Sequence, residues 1–210
     1  HADTRDILIS LLPKDRLQAL LQRLLNEAEF LSDGGIRALS KFHKDNPYKV
    51  VLEGHEYTIG YDPGDSTSNM FGGNSNWRGP VWMPINYLIL QALKKFGAFY
   101  GDQLNVEYPV GSGTTMSLSE AVVKLTERVV SLFVPDALGD RKLHAEYNYF
   151  YNRPGNEHLM LFYEYFNGDS GRGLGASHQT GWTALVALLM HENYERQPGE
   201  GFTYPIYEEE

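Results

Sequence analysis

Residue types able to do chemistry gather in three short stretches. The first is Asn74-Ser75-Asn76-Trp77-Arg78-Gly79-Pro80-Val81-Trp82-Met83-Pro84-Ile85-Asn86, which puts two indoles, a guanidinium and several amides on one loop. An indole face can stack on the C–H face of a sugar, while Arg and amide groups hydrogen-bond hydroxyls. The same residues would also serve as a plug, with Trp77 and Trp82 closing the end of a core and Arg78 paired with a carboxylate. The second stretch, Phe162-Tyr163-Glu164-Tyr165-Phe166-Asn167-Gly168-Asp169, sets a carboxylate among four rings. Apolar surroundings penalise an ionised Glu, so it must be paired, protonated or hydrogen-bonded, and acids perturbed in this way are common in active sites. The plainer alternative is a Glu at a helix C-terminus facing water, with Asp169 in a turn. The third stretch runs from Gly171 through Gly173, Gly175, Ser177, His178 and Gln179 to Trp182. Its glycines would let the backbone approach a ligand closely. If the following helix starts near Ser177, then His178, Gln179 and Trp182 share a face and line one cavity; a capped core helix is the bland version. A phosphate cradle is disfavoured, since no Gly-Lys-Ser/Thr follows and no apolar strand leads in.

Other chemistries find less support. The chain has no Cys, which removes thiolate nucleophiles, disulfides and Cys-based zinc sites and leaves the compartment open. His191-Glu192 is followed by Asn193-Tyr194-Glu195 and so is no zinc-protease helix. Gly175-Ala176-Ser177-His178-Gln179 lacks the closing Gly of a nucleophile elbow. Asp62, Asp65 and Asp169 fall short of a calcium loop, and His43, His55, His144 and His158 are scattered and read as structural. No metal and no cofactor is therefore expected. The 210 residues carry 18 Lys+Arg against 27 Asp+Glu, a net charge of −9, which argues against a nucleic-acid partner. No apolar run reaches the ~18 residues of a membrane span. A hydrophobic share of 42% and a charged share of 21% are globular values. The aromatic share of 13%, beside 21 Gly, suggests a rigid, ring-lined surface, although rings also fill cores.

Four helices must position these stretches. Pro13 to Ala28 carries a stripe of Leu17, Leu20, Leu21, Leu24 and Leu25 opposite a polar face. Pro84 to Phe99 is apolar nearly all round and reads as buried. Ser117-Leu118-Ser119-Glu120 has the form of a capping box and opens an amphipathic helix reaching Leu132. Ser177 to Met190 again has almost no polar face. Amphipathic, buried, amphipathic, buried is the order that hairpins of one outer and one inner helix would produce, as in an α/α toroid; an irregular bundle fits too. A short fifth helix is expected near residues 157–163. Tyr48–Leu52 and Glu56–Ile59 flank Glu53-Gly54-His55 as a β-hairpin. Long loops fill residues 62–76 and 168–177, and such loops in a compact domain are usually functional or disordered. Neither a repeat nor an internal domain boundary is visible across residues 1–210. The start, His1-Ala2-Asp3, lacks the basic and apolar stretches of a signal peptide, and the missing Met suggests a processed, tagged or excised piece.

Taken together, Phe71-Gly-Gly-Asn-Ser-Asn-Trp-Arg-Gly-Pro-Val-Trp82, Glu164-Tyr-Phe-Asn-Gly-Asp169 and Gly173-Leu-Gly-Ala-Ser-His-Gln-Thr-Gly-Trp182 resemble glycoside hydrolase family 63. That family holds processing α-glucosidase I, bacterial glucosidase-like proteins and mannosylglycerate hydrolases. The likeness runs from about Leu11 to Met190 and looks closest to the bacterial glucosidase-like branch. It implies an all-α fold, part of an (α/α)6 toroid, and an inverting hydrolysis of an α-linked glycoside by two carboxylates ~6.5–9.5 Å apart. Glu164 matches the family's general base, Trp77 and Trp82 its aromatic walls, and Arg78 and Gln179 its substrate-binding polar residues. His178 and Trp182 lie in the matching motif. The family's general acid, an Asp from an upstream segment, has no counterpart in residues 1–70. The resemblance thus implies the C-terminal half of a catalytic domain, inactive alone and requiring the missing N-terminal half or another chain as partner. Asp62 and Asp65 stay open as acids within the chain.

Overall fold

The computed structural model describes residues 7–68 and 76–196, with side chains to Asn193. Residues 71–75, which open the first family motif, lie outside the described residues. Helix α1 spans Lys14–Leu24 behind an extended Pro13, burying Leu17 and Leu21 while Leu20 stays exposed. It stops short of the expected Ala28 because Asn26 turns the chain. The Asn26 side chain accepts from the Ala28 amide at 2.8 Å, and its carbonyl takes the amides of Glu29 and Leu31. Strands β1 (Leu31–Ser32) and β2 (Gly35–Ile36) pair next. The expected hairpin follows as β3 (Tyr48–Leu52) and β4 (His55–Ile59). Glu53 at φ 52° and Gly54 at φ 81° form its two-residue turn, where both central positions need positive φ.

Helix α2 spans Met83–Tyr100 and ends at Gly101. Strands β5 (Asn105–Glu107) and β6 (Thr115–Ser117) lead into α3, Leu118–Val130. The capping box there is complete: Ser117 Oγ accepts from the Glu120 amide at 3.2 Å, and Glu120 accepts from the Ser117 amide at 2.8 Å. The expected helix near residues 157–163 is absent. The short helix α4 instead covers Asn148–Tyr151, and residues 152–158 form turns tied back by Asn156 Nδ2 to the Phe150 carbonyl. Strands β7 (Tyr165–Phe166) and β8 (Gly173–Leu174) complete, among the described residues, a set of four antiparallel two-stranded sheets, more than the single hairpin expected. The last predicted helix is split into α5 (Thr180–Thr183) and α6 (Leu185–Arg196). Its start is delayed because the Gln179 amide bonds the Phe162 carbonyl at 2.7 Å, which holds residues 178 and 179 out of the helix. The chain is mostly α, with small two-stranded sheets. Among the described residues, no helix is long and apolar enough to cross a membrane.

Helices α2, α3 and α6 pack on one another around the core. The burial of individual helices departs from expectation. Amphipathic α3 has the well-covered apolar face, with Leu118, Ala121, Val122, Leu125, Val129 and Val130 all buried. Helix α2, apolar nearly all round, buries Met83, Leu90 and Leu93 but leaves Ile85, Phe99 and Leu88 exposed, the last at 64%. Leu188 on α6 is exposed as well. The sequence patterns were those of covered helices, but nothing among the described residues covers the second face.

His144 is buried, stacked on Tyr151 at 3.8 Å, and neither ring nitrogen finds a hydrogen-bond partner among the described residues. Burial, helped by the Arg141 charge, pulls its pKa down to about 4. The unfolded chain therefore binds this proton more readily than the folded one between about pH 6.5 and 4. Stability contributed here is present above that window and is lost as pH falls through it, by up to ~3 kcal/mol. His144→Phe keeps the ring stack and removes the titration. Urea midpoints measured from pH 7 to 4.5 should fall less steeply for His144→Phe than for wild type; parallel slopes would contradict the assignment.

Candidate active site

The site is assembled by backbone pairing between the first and second chemical stretches. The Val81 amide bonds the Phe166 carbonyl at 2.8 Å and the Phe166 amide returns to the Val81 carbonyl at 2.9 Å, which lays the 76–82 loop beside β7. On β7 itself, Tyr165 pairs with Leu174 of β8. Trp82, the residue before α2, thereby comes against Tyr165, with ring centroids 4.8 Å apart. Trp77 lies flat on Trp82 at 3.9 Å and an interplanar angle of 6°. Trp182, from α5, meets Trp82 edge-on at 6.2 Å. All three tryptophans of the chain thus gather with Tyr165. Trp82 is 2% exposed and Tyr165 fully covered, whereas Trp77 is 49% exposed.

Asn76 ties the loop down. Its Nδ2 donates to the carbonyls of Asp62 and Gly64 at 2.7 and 2.8 Å, its Oδ1 accepts from the Arg78 amide, and its carbonyl accepts the Trp82 indole N–H at 3.0 Å. Arg78 donates to Asp62 Oδ2 at 3.2 Å and to Ser66 Oγ at 3.3 Å. The same Asp62 oxygen accepts from the amide and hydroxyl of Thr67. Asp65 is exposed and accepts the Tyr165 hydroxyl at 2.8 Å. Burial first, and then this bond, push the Tyr165 phenol well above the usual tyrosine range.

Glu164 is half-buried and sits at the entry to β7, not at a helix C-terminus. Its amide donates to the Ala176 carbonyl at 2.9 Å, and its Oε2 accepts from the Ala176 amide at 3.2 Å. The glycines of the third stretch make this closeness possible. At Gly175, with φ +71°, an added Cβ would stand 2.7 Å from Glu164 Oε2 and from a Tyr165 ring carbon; at Gly173 it would stand 2.1 Å from the Tyr163 ring. The backbone here approaches the neighbouring acid and rings of its own chain. Asp169 lies in a turn, as one reading expected, and accepts from Tyr61 at 2.9 Å, Lys41 at 3.1 Å and buried Arg37 at 3.3 Å.

The shared helix face of His178, Gln179 and Trp182 does not form. Gln179 precedes α5 with φ −93° and ψ 62°, and His178 is in bridge pairing with Phe162. Both are exposed, and only Trp182 joins the aromatic cluster. Asn76 and Tyr165 organise the site yet carried no distinguishing signal: Asn in a Gly-rich loop reads as a turn former, and Tyr165 is one ring among four. Among the described residues, no group of three or more His, Asp or Glu side chains could hold a metal ion.

The site thus brings together a buried aromatic stack, a carboxylate on the residue beside it and an Arg-bearing loop. Residues 7–183 match the mannosylglycerate hydrolase MGH1-like glycoside hydrolase domain. The chain belongs to this glycoside hydrolase family, within the family 63 group that its motifs resemble. It is 52% identical over 183 residues to an uncharacterized Saccharomyces cerevisiae protein, covering 86% of this chain and 17% of that one. It is 29% identical over 192 residues to a probable mannosyl-oligosaccharide glucosidase of Schizosaccharomyces pombe, covering 90% of this chain and 17% of the relative. Alpha-glucosidase 2 of Arabidopsis thaliana is 28% identical over 118 residues, 56% of this chain and 11% of the relative. The chain therefore spans about a sixth or less of the length of these relatives.

Proposed function

We propose that this chain is part of the catalytic domain of an inverting glycoside hydrolase acting on α-glucosides or related small glycosides. Glu164 is the general base: it deprotonates a water on the face of the sugar opposite the leaving group, while an acid from another segment protonates the leaving oxygen. Trp77 supplies the exposed stacking face and Trp82 backs it. Arg78, Gln179, His178 and Trp182 are assigned to substrate contact, with Arg78 oriented by Asp62. The single observation carrying this reading is the Trp77–Trp82–Tyr165 stack, whose last ring is covalently next to Glu164. The domain would complete an (α/α)6 toroid. The exposed Ile85, Leu88, Phe99 and Leu188 would then pack against the rest of that domain, or against another chain. The test is to give the full-length protein an α-glucoside and follow the first sugar released by proton NMR. The β-anomer should appear first and mutarotate afterwards; an α-anomer first would exclude inversion.

A second reading, a carbohydrate-binding module without catalysis, draws on one observation. Asp62 and Asp65, the acids considered within the chain, both serve as hydrogen-bond acceptors to neighbouring donors. Calorimetric binding of glucose oligomers by the full-length protein with no hydrolysis would favour it.

A further inference from the structure

The Trp82 indole is fixed from two directions, and both lead to one loop. Its N–H donates to the Asn76 carbonyl at 3.0 Å, and Asn76 Nδ2 donates to the Gly64 carbonyl at 2.8 Å. Its face stacks on Tyr165, whose hydroxyl donates to Asp65 Oδ1 at 2.8 Å. Gly64 and Asp65 are consecutive, so the circuit Trp82–Asn76–Gly64–Asp65–Tyr165–Trp82 closes on itself. Trp77 on the opposite face and Trp182 at the edge complete the enclosure of the ring, and of its contacts the N–H bond and the Tyr165 stack run through consecutive residues of the 62–68 loop.

The ring held by Asp65 is also the one next in sequence to Glu164. Tyr165 and the Glu164 carboxylate share a single constraint, since a Cβ at Gly175 would meet both at 2.7 Å. The phenol ring and the carboxylate thus lie against the same stretch of Gly175 backbone. Tyr165 is fully covered, whereas Asp65 is exposed and reaches the hydroxyl from the solvent side of the loop. An exposed side chain is thereby hydrogen-bonded to a ring at the centre of the buried stack.

We propose that Asp65 is a positioning residue which, through the Tyr165 hydroxyl, fixes the Trp82 platform and the seat of Glu164 for a sugar ring. This inference rests on the glycoside hydrolase reading of the site. It requires an acceptor at position 65, not a charge.

Three variants test it in the full-length protein: Asp65→Ala, Asp65→Asn and Tyr165→Phe. The probes are the indole resonances in a nitrogen-15 NMR spectrum, calorimetry with maltose, and the melting temperature. Asp65→Ala and Tyr165→Phe should both shift the Trp82 indole signal, more than that of Trp182, and weaken maltose binding about tenfold. Asp65→Asn, whose side-chain carbonyl can accept the same bond, should restore both to near wild type. The proposal is overturned if Asp65→Ala leaves the Trp82 signal in place, or if Asp65→Asn is as damaging as Asp65→Ala. Should the full-length protein neither bind nor cleave any saccharide, the functional reading falls, and the indole spectrum still decides whether Asp65 positions Trp82. In the full-length protein the Asp65→Ala loss should fall on kcat as well as KM; a fall in melting temperature with both constants intact would mean that the bond is merely structural.

Discussion

Glu164→Gln in the full-length protein should reduce turnover of an α-glucoside by about 10²–10⁴-fold while leaving KM within a few-fold of wild type. The substitution preserves the size of the side chain and keeps an oxygen that can accept from the Ala176 amide, the bond that now seats the carboxylate. Gly175 leaves that side chain little room, so an isosteric variant occupies the same place. The difference lies in proton affinity: an amide oxygen cannot take a proton from water at neutral pH. Stacking on the tryptophans is untouched, which is why binding survives and chemistry does not. Glu164→Ala should lose as much activity but open space beside Ala176, and azide at high concentration should then restore part of the turnover with formation of the β-glucosyl azide. Turnover within a few-fold of wild type for Glu164→Gln would mean that another group accepts the proton.

How much of this was legible in advance depended on whether a feature was local. The capping box at Ser117 and the hairpin at Glu53-Gly54 are set by neighbours along the chain; the first lies where the sequence places it, and the second differs only in that His55 joins the strand instead of the turn. The meeting of Trp82 with the Tyr165 strand had no local signal beyond the motif resemblance, because residues 82 and 165 come together only through the pairing of Val81 with Phe166. Periodicity failed where a long-range hydrogen bond overrode it. The Gln179 amide bond to Phe162 delays the start of α5, and with it goes the helix face that would have aligned His178 with Trp182. The turns after Asn152 likewise replace a helix that spacing suggested. Burial was misjudged for a different reason. An apolar pattern records what a helix is built to meet, and α2 is built to meet surface on more sides than the described residues supply. Asp65 and Asn76 illustrate a third case, since short polar residues in Gly-rich loops have many reasons to be there.

Trp82→Ala should cost about 3–5 kcal/mol of stability, a large share of the 5–15 kcal/mol typical of a domain. The indole is almost completely covered, with Trp77 on one side, Tyr165 close by and Trp182 at its edge, so its removal leaves a cavity bounded by rings from three separate segments. The Val81–Phe166 pairing fixes the spacing of the 76–82 loop and β7, so they cannot close in to fill it. The Asn76 carbonyl also loses the indole N–H, one of the bonds that define the loop. Trp77→Ala is the informative comparison. That ring is half exposed, its removal uncovers one face of Trp82 without hollowing the core, and its stability cost should be about 1 kcal/mol or less, while maltose binding should weaken at least as much as in Trp82→Phe. Urea unfolding of the two alanine variants measures the separation directly. If Trp77→Ala and Trp82→Ala destabilise equally, the two indoles form one structural plug with no free face, and the chain has no aromatic platform to offer a sugar.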